Sequence, residues 1–407
     1  MKRKTRSRKA EIAMGLTAII YIVMGIIGVI GAGAAAKPIY AAFTDLTTSP
    51  SDDNIAILAW PESGNDHLFL FNDKLVRFDQ KTEFMYNSMD IVAGDFDTIG
   101  HGEELAIINS EKGSADLVYI ADRNGKYIHQ FNANGQELTY IGAGDLIPGD
   151  DSPGDEIVVV GSWDTCSVRV FNNKGVSAPN MLTVSKCSDV TVGKFIKGSD
   201  REQIAVLRVS GNPFKIMFYE INAETGRLTA LPELATTLWR PTANTHYDMI
   251  TKTYADIPFT GMDSGNLDIT TDEDEIVLIH RRWGYNSVSQ DRLQLYSVES
   301  DEGAITGITK YKTIGPIGKT ETVEWKGESN PVTLTQGITE VVVGKIRNDK
   351  REDIVIMKST HWKKSDGWHN IPARDALVLF NGGTGEKLFE KRGDPYMNRL
   401  AIYEYIR

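Results

Sequence analysis

Four tryptophans recur at one place in the local pattern of the chain. Trp60, Trp163, Trp283 and Trp362 fall five to eight residues after the first apolar residue of a β-branched run. Close by in sequence stand Tyr285, Trp368, His280, Arg281, Arg282, His361, Lys363, Lys364 and His369. Aromatic faces interleaved with hydrogen-bond donors form a recognition surface for sugars or peptides. Large aromatics also pack between sheets, and the pattern alone allows both readings. Catalytic chemistry finds little support. His361 and His369 are eight apart, which is no zinc spacing. There is no Ser-centred nucleophile elbow, Cys–His pair or P-loop, so no catalytic residue is assigned. Gly31-x-Gly33-x-x-Ala36 imitates a dinucleotide fingerprint but lacks the strand before it and the helix after it.

The elements that must position these residues are repeated strands. One pattern recurs six times: a Gly or Thr, a polar residue, an apolar residue, a loop, then an acidic or amide pair leading into a β-branched run. It opens at Thr44, Gly94, Gly144, Gly193, Gly265 and Gly344, and the runs begin at Ile55, Leu105, Ile157, Ile204, Ile276 and Ile354. A second apolar run with an aromatic follows each, such as Leu68-Phe69-Leu70-Phe71 or Val168-Arg169-Val170-Phe171. Turn residues come next, as in Arg123-Asn124-Gly125, and a weaker fourth strand fits after them. About 50 residues per four-stranded unit is the signature of a propeller blade. The reading is an all-β propeller of about six blades, with seven the alternative. The wide spacings place extra loops or strands in 227–260 and 299–338. The C-terminal run Leu400–Ile406 predicts a strand that closes the ring by pairing near the N-terminus of the body, with the Ile39–Leu46 segment competing for the innermost place.

Charge divides the chain. Of 44 basic and 55 acidic residues, residues 1–36 hold six basic and one acidic, leaving 38 against 54, a net −16. An acidic body argues against nucleic acid as a partner. Residues 2–9 are basic and residues 12–36 carry no charge, the layout of a secretory signal or a membrane anchor. Ala34 and Ala36 suit cleavage after Ala36. Either outcome puts residues 37–407, the propeller domain, outside the cytoplasm. In that compartment Cys166 and Cys187 predict one disulfide. With Cys166 opening a third strand and Cys187 ending a fourth, the bond is expected within one blade.

Gly94-Asp95-Phe96, a short loop, then Glu103-Glu104-Leu105-Ala106 resembles the FG-GAP/VCBS repeats of integrin-α-like propellers, and the resemblance covers about residues 39–407. In that family the loop between the first and second strands often binds Ca²⁺ through alternating carboxylates. No copy here keeps the full set. The resemblance implies candidate calcium ligands in Asp95, Asp97 and Glu103; in Asp145, Asp150, Asp151 and Asp155; and in Asp268, Asp272 and Asp274. Asp45, Asp52 and Asp53 form a weaker set. Lys194 and Lys345 spoil two copies. The alternative is that these acids only cap turns and solvate the rim.

Two classes of function stay open. One is an extracytoplasmic binding or adhesion module for a protein or carbohydrate ligand. The other is a propeller-fold polysaccharide lyase or hydrolase. A structural part of the cell envelope is a third.

Overall fold

The computed structural model describes residues 53–59, 66–72, 77–81, 87–96, 103–110, 115–135, 138–147, 154–161, 166–209, 215–233, 246–248, 253–255, 259–268, 270–280, 291–301, 303–324, 331–347, 351–364, 367–370, 375–392 and 397–404. The chain divides into two compact units, residues 1–50 and 51–407. The uncharged segment 12–36 and the first-copy acids Asp45 and Asp52 lie outside the described residues.

The protein is an all-β propeller, with no helix among the described residues. The first sheet holds β1 (Asp53–Ala59), β2 (His67–Phe71) and β3 (Arg77–Lys81). The second holds β4 (Ser88–Gly94), β5 (Glu104–Asn109), β6 (Leu117–Ala121) and β7 (Tyr127–Asn132). The third holds β8 (Leu138–Gly144), β9 (Glu156–Gly161), β10 (Cys166–Phe171) and β11 (Leu182–Val184). The fourth holds β12 (Cys187–Gly193), β13 (Gln203–Arg208), β14 (Lys215–Asn222) and β15 (Arg227–Ala230). A separate pair, β16 (His246–Asp248) and β17 (Thr253–Ala255), interrupts the series. The fifth sheet holds β18 (Phe259–Gly265), β19 (Glu275–His280), β20 (Arg292–Asp301) and β21 (Ala304–Ile314). The last and largest holds β22 (Lys319–Val323), β23 (Val332–Gly344), β24 (Asp353–Lys364), β25 (Gly367–Asn370), β26 (Ala376–Asn381) and β27 (Lys387–Arg392). The final strand, β28 (Met397–Glu404), returns to the first sheet, which is ordered β28-β1-β2-β3.

That return closes the ring as the sequence leads one to expect. β28 takes the innermost place and pairs antiparallel with β1, with Ile55 opposite Ile402 and Ile57 opposite Leu400. The innermost strands then neighbour one another in the order β28, β4, β8, β12, β18, β23 and back to β28. The hydrophobic core is divided among the joints between sheets. Phe96, Ile108 and Phe171 pack between the second and third sheets. Phe195, Phe218, Met262 and Leu278 pack between the fourth and fifth. Ile55 and Phe71 meet Ile346, Val355 and Met357 where the last sheet meets the first.

This explains why the second strands read as continuous apolar runs. Each is covered on both faces, and β5, β9 and β19 are buried at every position. A strand buried on one face only would alternate. The apolar residue two beyond each motif glycine, as Phe96, Leu146, Phe195, Leu267 and Ile346, is also buried.

The disulfide departs from expectation. Cys166 and Cys187 are bonded, with Cα atoms 5.8 Å apart. Cys166 opens β10, but Cys187 opens β12 of the next sheet instead of ending the fourth strand of its own. The bond therefore crosses a joint. The fourth strand β11 is three residues long, and a turn at Lys186, with φ +40°, delivers the chain straight into the next sheet.

Candidate functional site

Two features stand apart from the generic ring: an acidic central channel and an extension of the last sheet. The channel is a cavity of about 280 Å³ lined by the innermost strands. At one mouth stand Glu103, Asp155, Glu202, Asp274 and Glu352, the first acid of five motif pairs. Within it and at the far end lie Asp90, Asp189, Asp263 and Glu340.

Most mouth carboxylates already have a structural task. The Asp95 N–H donates to Asp155 Oδ2 at 2.9 Å, that of Asp145 to Glu202 Oε2 at 2.9 Å, that of Lys194 to Asp274 Oδ2 at 2.7 Å and that of Asn266 to Glu352 Oε2 at 2.6 Å. Each bond joins the residue after a motif glycine to the next sheet of the ring. The backbone replies in the same four places: the N–H groups of Asp155, Glu202, Asp274 and Glu352 donate to the carbonyls of Asp95, Asp145, Lys194 and Asn266. The motif glycine makes room. A Cβ on Gly144 would collide with the Glu202 carboxylate, one on Gly265 with Glu352, and one on Gly94 would lie 2.9 Å from Asp155 Oδ2.

The second member of each pair works inside its own sheet. Glu156 Oε2 accepts the N–H groups of Leu146 and Ile147 at 2.9 and 3.0 Å. Glu275 Oε2 accepts those of Leu267 and Asp268. Gln203 Oε1 does the same for Phe195 and Ile196, so the task needs an oxygen and not a charge. Asp353 instead takes a two-point contact from the Arg347 guanidinium, at 2.8 and 2.7 Å.

Burial in the channel costs the charged form most. It raises Asp155 to about 6 and Glu202 to about 7, with the neighbouring carboxylates adding to the rise. Glu352 and Asp263 are likewise pushed up to about 7, first by desolvation. Asp263 sits among strand ends, accepting the Val343 N–H at 2.7 Å and the Thr191 hydroxyl at 2.9 Å.

As a calcium cage the described acids fit poorly. Ca²⁺ wants six to eight oxygens converging from a flexible loop. Asp155 and Asp274 turn toward the neighbouring sheet's backbone. Asp268 Oδ1 caps its own turn, accepting the Thr270 N–H and hydroxyl, and Asp272 is exposed. Asp95 is exposed and Glu103 half-buried on the channel. Among the described residues no group of three or more His, Cys, Asp or Glu could hold a metal. Asp97, Asp150 and Asp151 lie outside them.

The second feature lies at the opposite end of the second strands. β23 runs 13 residues where the innermost strands β4, β8, β12 and β18 run seven, and β24 runs 12 where the second strands β5, β9, β13 and β19 run six. Their added length builds a small platform from β22, β23, β24 and β25. Its register pairs Trp362 with Leu334 on one side and His369 on the other, and Lys363 with Trp368. Beside it Lys319, Glu321, Gln336, Thr360 and Arg392 line a small polar cleft. On the same sheet buried Lys358 lies 3.3 Å from Glu390; partial burial pushes that carboxylate up, but the cations Lys358, Lys387 and Arg392 outweigh it and bring it down to about 2. Trp60, Trp163, Trp283 and Tyr285 lie outside the described residues. His280 is no loop residue: it ends β19 fully buried, and its Nδ1 accepts from the Arg292 Nε at 3.3 Å. The channel acids Glu202, Glu352 and Asp263 are not among the sequence-predicted site residues; the acidic pairs and the positions flanking the motif glycines carry the signal for them.

No protein-family model matches the chain, and no curated protein matches it. Solved structures do resemble it. A crystal structure of a protein from Lactobacillus plantarum covers 86% of this chain and 99% of its own, at 9% identity and TM-score 0.46. BBS1N, crystallised in complex with ARL6DN, covers 88% and 94%, at 11% identity and TM-score 0.37. Dihydro-heme d1 dehydrogenase NirN, in complex with DHE, covers 87% and 76%, at 10% identity and TM-score 0.38. Likeness at this level carries no argument about activity.

Proposed function

We propose that this chain is an exported, FG-GAP/VCBS-like propeller that binds a protein or carbohydrate ligand. The observation that carries the reading is the platform on the last sheet. Strands twice the length of their equivalents cost backbone ordering that the ring does not need. They bring Trp362, Trp368, His361 and His369 into one short antiparallel block, and Trp362 follows its β-branched run at a spacing like that of Trp60, Trp163 and Trp283 in sequence. Aromatic residues close in register to amide, hydroxyl and charged residues suit a sugar or a peptide. The acidic motif, by contrast, serves the ring.

The test is a titration of tryptophan fluorescence against a panel of envelope polysaccharides and extracellular peptides. Trp362→Ala combined with Trp368→Ala should abolish binding at least tenfold while the circular dichroism and melting midpoint stay as in the parent. Unchanged affinity in that variant would sink the platform reading. Turnover of any polysaccharide in the panel would favour the lyase or hydrolase instead.

A further inference from the structure

The sheets share one frame, set by the pairing of second and third strands. Phe71, Ala121, Phe171, Tyr219, Tyr296 and Phe380 oppose the first apolar residues Ile55, Leu105, Ile157, Ile204, Ile276 and Ile354. Five residues before each of these stand Asp66, Asp116, Cys166, Phe214, Asp291 and Asp375. The same frame makes Ser88, Leu138, Cys187 and Ile338 equivalent on the innermost strands, since they oppose Asn109, Gly161, Arg208 and Lys358, each four beyond the first apolar residue.

At three joints the aspartate reaches across to the next sheet. Asp66 Oδ2 accepts the Ser88 N–H at 2.7 Å, Asp116 Oδ2 that of Leu138 at 2.6 Å, and Asp291 Oδ2 that of Ile338 at 3.2 Å. At the joint between the third and fourth sheets the same two positions hold the disulfide Cys166–Cys187, whose residues are 0% and 1% exposed. We infer that this disulfide is the covalent counterpart of the aspartate clasp, and that it makes this seam the one whose closure depends on oxidation.

The carboxylate clasps hold in any redox state. Reduced, the cysteines would offer only a weak S–H donor and a weak acceptor in their place. Closing the bond takes two electrons and two protons from the two thiols, which pass to a disulfide-bearing oxidant that leaves as two thiols; reduction is the reverse. Buried sulfurs are out of reach in the closed ring, so exchange requires the seam to open first. At its other end the seam is held by the Asp145–Glu202 bond, which reduction leaves untouched.

The test compares four forms of the full chain, each refolded with and without reductant. The parent should lose several degrees of melting midpoint in reductant. Cys166→Ser with Cys187→Ser should melt low in both conditions. Cys166→Asp with Cys187→Ser recreates the Asp66 and Ser88 pair, and should recover most of the loss and ignore reductant. Asp66→Cys with Ser88→Cys in the otherwise native chain should show no titratable thiol when unfolded unreduced. Two free thiols in that last variant would overturn the equivalence, even if the serine variant fails to fold. An aspartate variant no more stable than the serine variant would do the same. A parent midpoint indifferent to reductant would overturn the redox dependence.

Discussion

The Glu202 carboxylate lies over the Cα of Gly144, in space that any side chain at that position would fill, and accepts the N–H of Asp145 at 2.9 Å. The two residues belong to successive sheets. A recurring glycine and a recurring acid, which look like separate features in the sequence, are thus the two halves of one contact. It repeats between Gly94 and Asp155, Gly193 and Asp274, and Gly265 and Glu352.

Stability should fall as pH rises from 5 to 8. Asp155, at about 6, and Glu202, Glu352 and Asp263, at about 7, all titrate above their ordinary values. A carboxyl raised in the folded state binds its proton more tightly there than in the unfolded chain, so its contribution is full below pH 4 and lost as pH passes through 6 to 7. A rise of this size is on the order of 3 kcal/mol per group over the whole range. Calorimetry at pH 5 and pH 8 should give the higher midpoint at pH 5, and Glu202→Gln should shrink the difference. A midpoint that climbs toward pH 8 would refute the assignment.

Glu156→Ala should destabilise by roughly 2 kcal/mol, because the half-buried Ile147 N–H loses its acceptor and the buried Leu146 N–H loses its side-chain partner. Glu156→Gln should cost under about 1 kcal/mol, since Gln203 performs the same task natively. Denaturant melts of the two variants separate these outcomes; equal losses would show that the charge itself is needed.

Removing residues 397–407 should destroy the cooperative transition. β28 covers the edge of β1, whose Ile55, Ala56, Ile57 and Leu58 are fully buried. A bare apolar edge invites aggregation. The truncated chain should elute as aggregate, and a peptide of the missing residues should restore monomer. A truncated monomer melting like the parent would contradict the closure.

Much of the fold was legible because its signals are local. The motif period, the β-branched runs of β5, β9, β13 and β19, and the hairpin turns at Gly125 and Gly175 sit within a few residues of one another. What could not be read was contact across the ring. Asp155 reaches Asp95 over 60 residues and Glu352 reaches Asn266 over 86, so acids suited by type to a cation loop gave no hint of their backbone partners. The sequence places Cys187 in a fourth strand because β11, three residues long, is too short to announce its own end. The platform escaped notice because β24 continues through polar residues, Lys358 to Lys364, where the apolar signal of a strand stops.

A double-mutant cycle on Gly144 and Glu202 measures whether motif glycine and next-sheet acid form one contact. Unfolding free energies of Gly144→Ala, Glu202→Ala and the double variant should show strong coupling. The alanine at 144 should cost several kcal/mol beside Glu202 and much less once the carboxylate is gone, with Val192 accounting for the remainder. Additive losses would contradict the account and return both residues to independent roles.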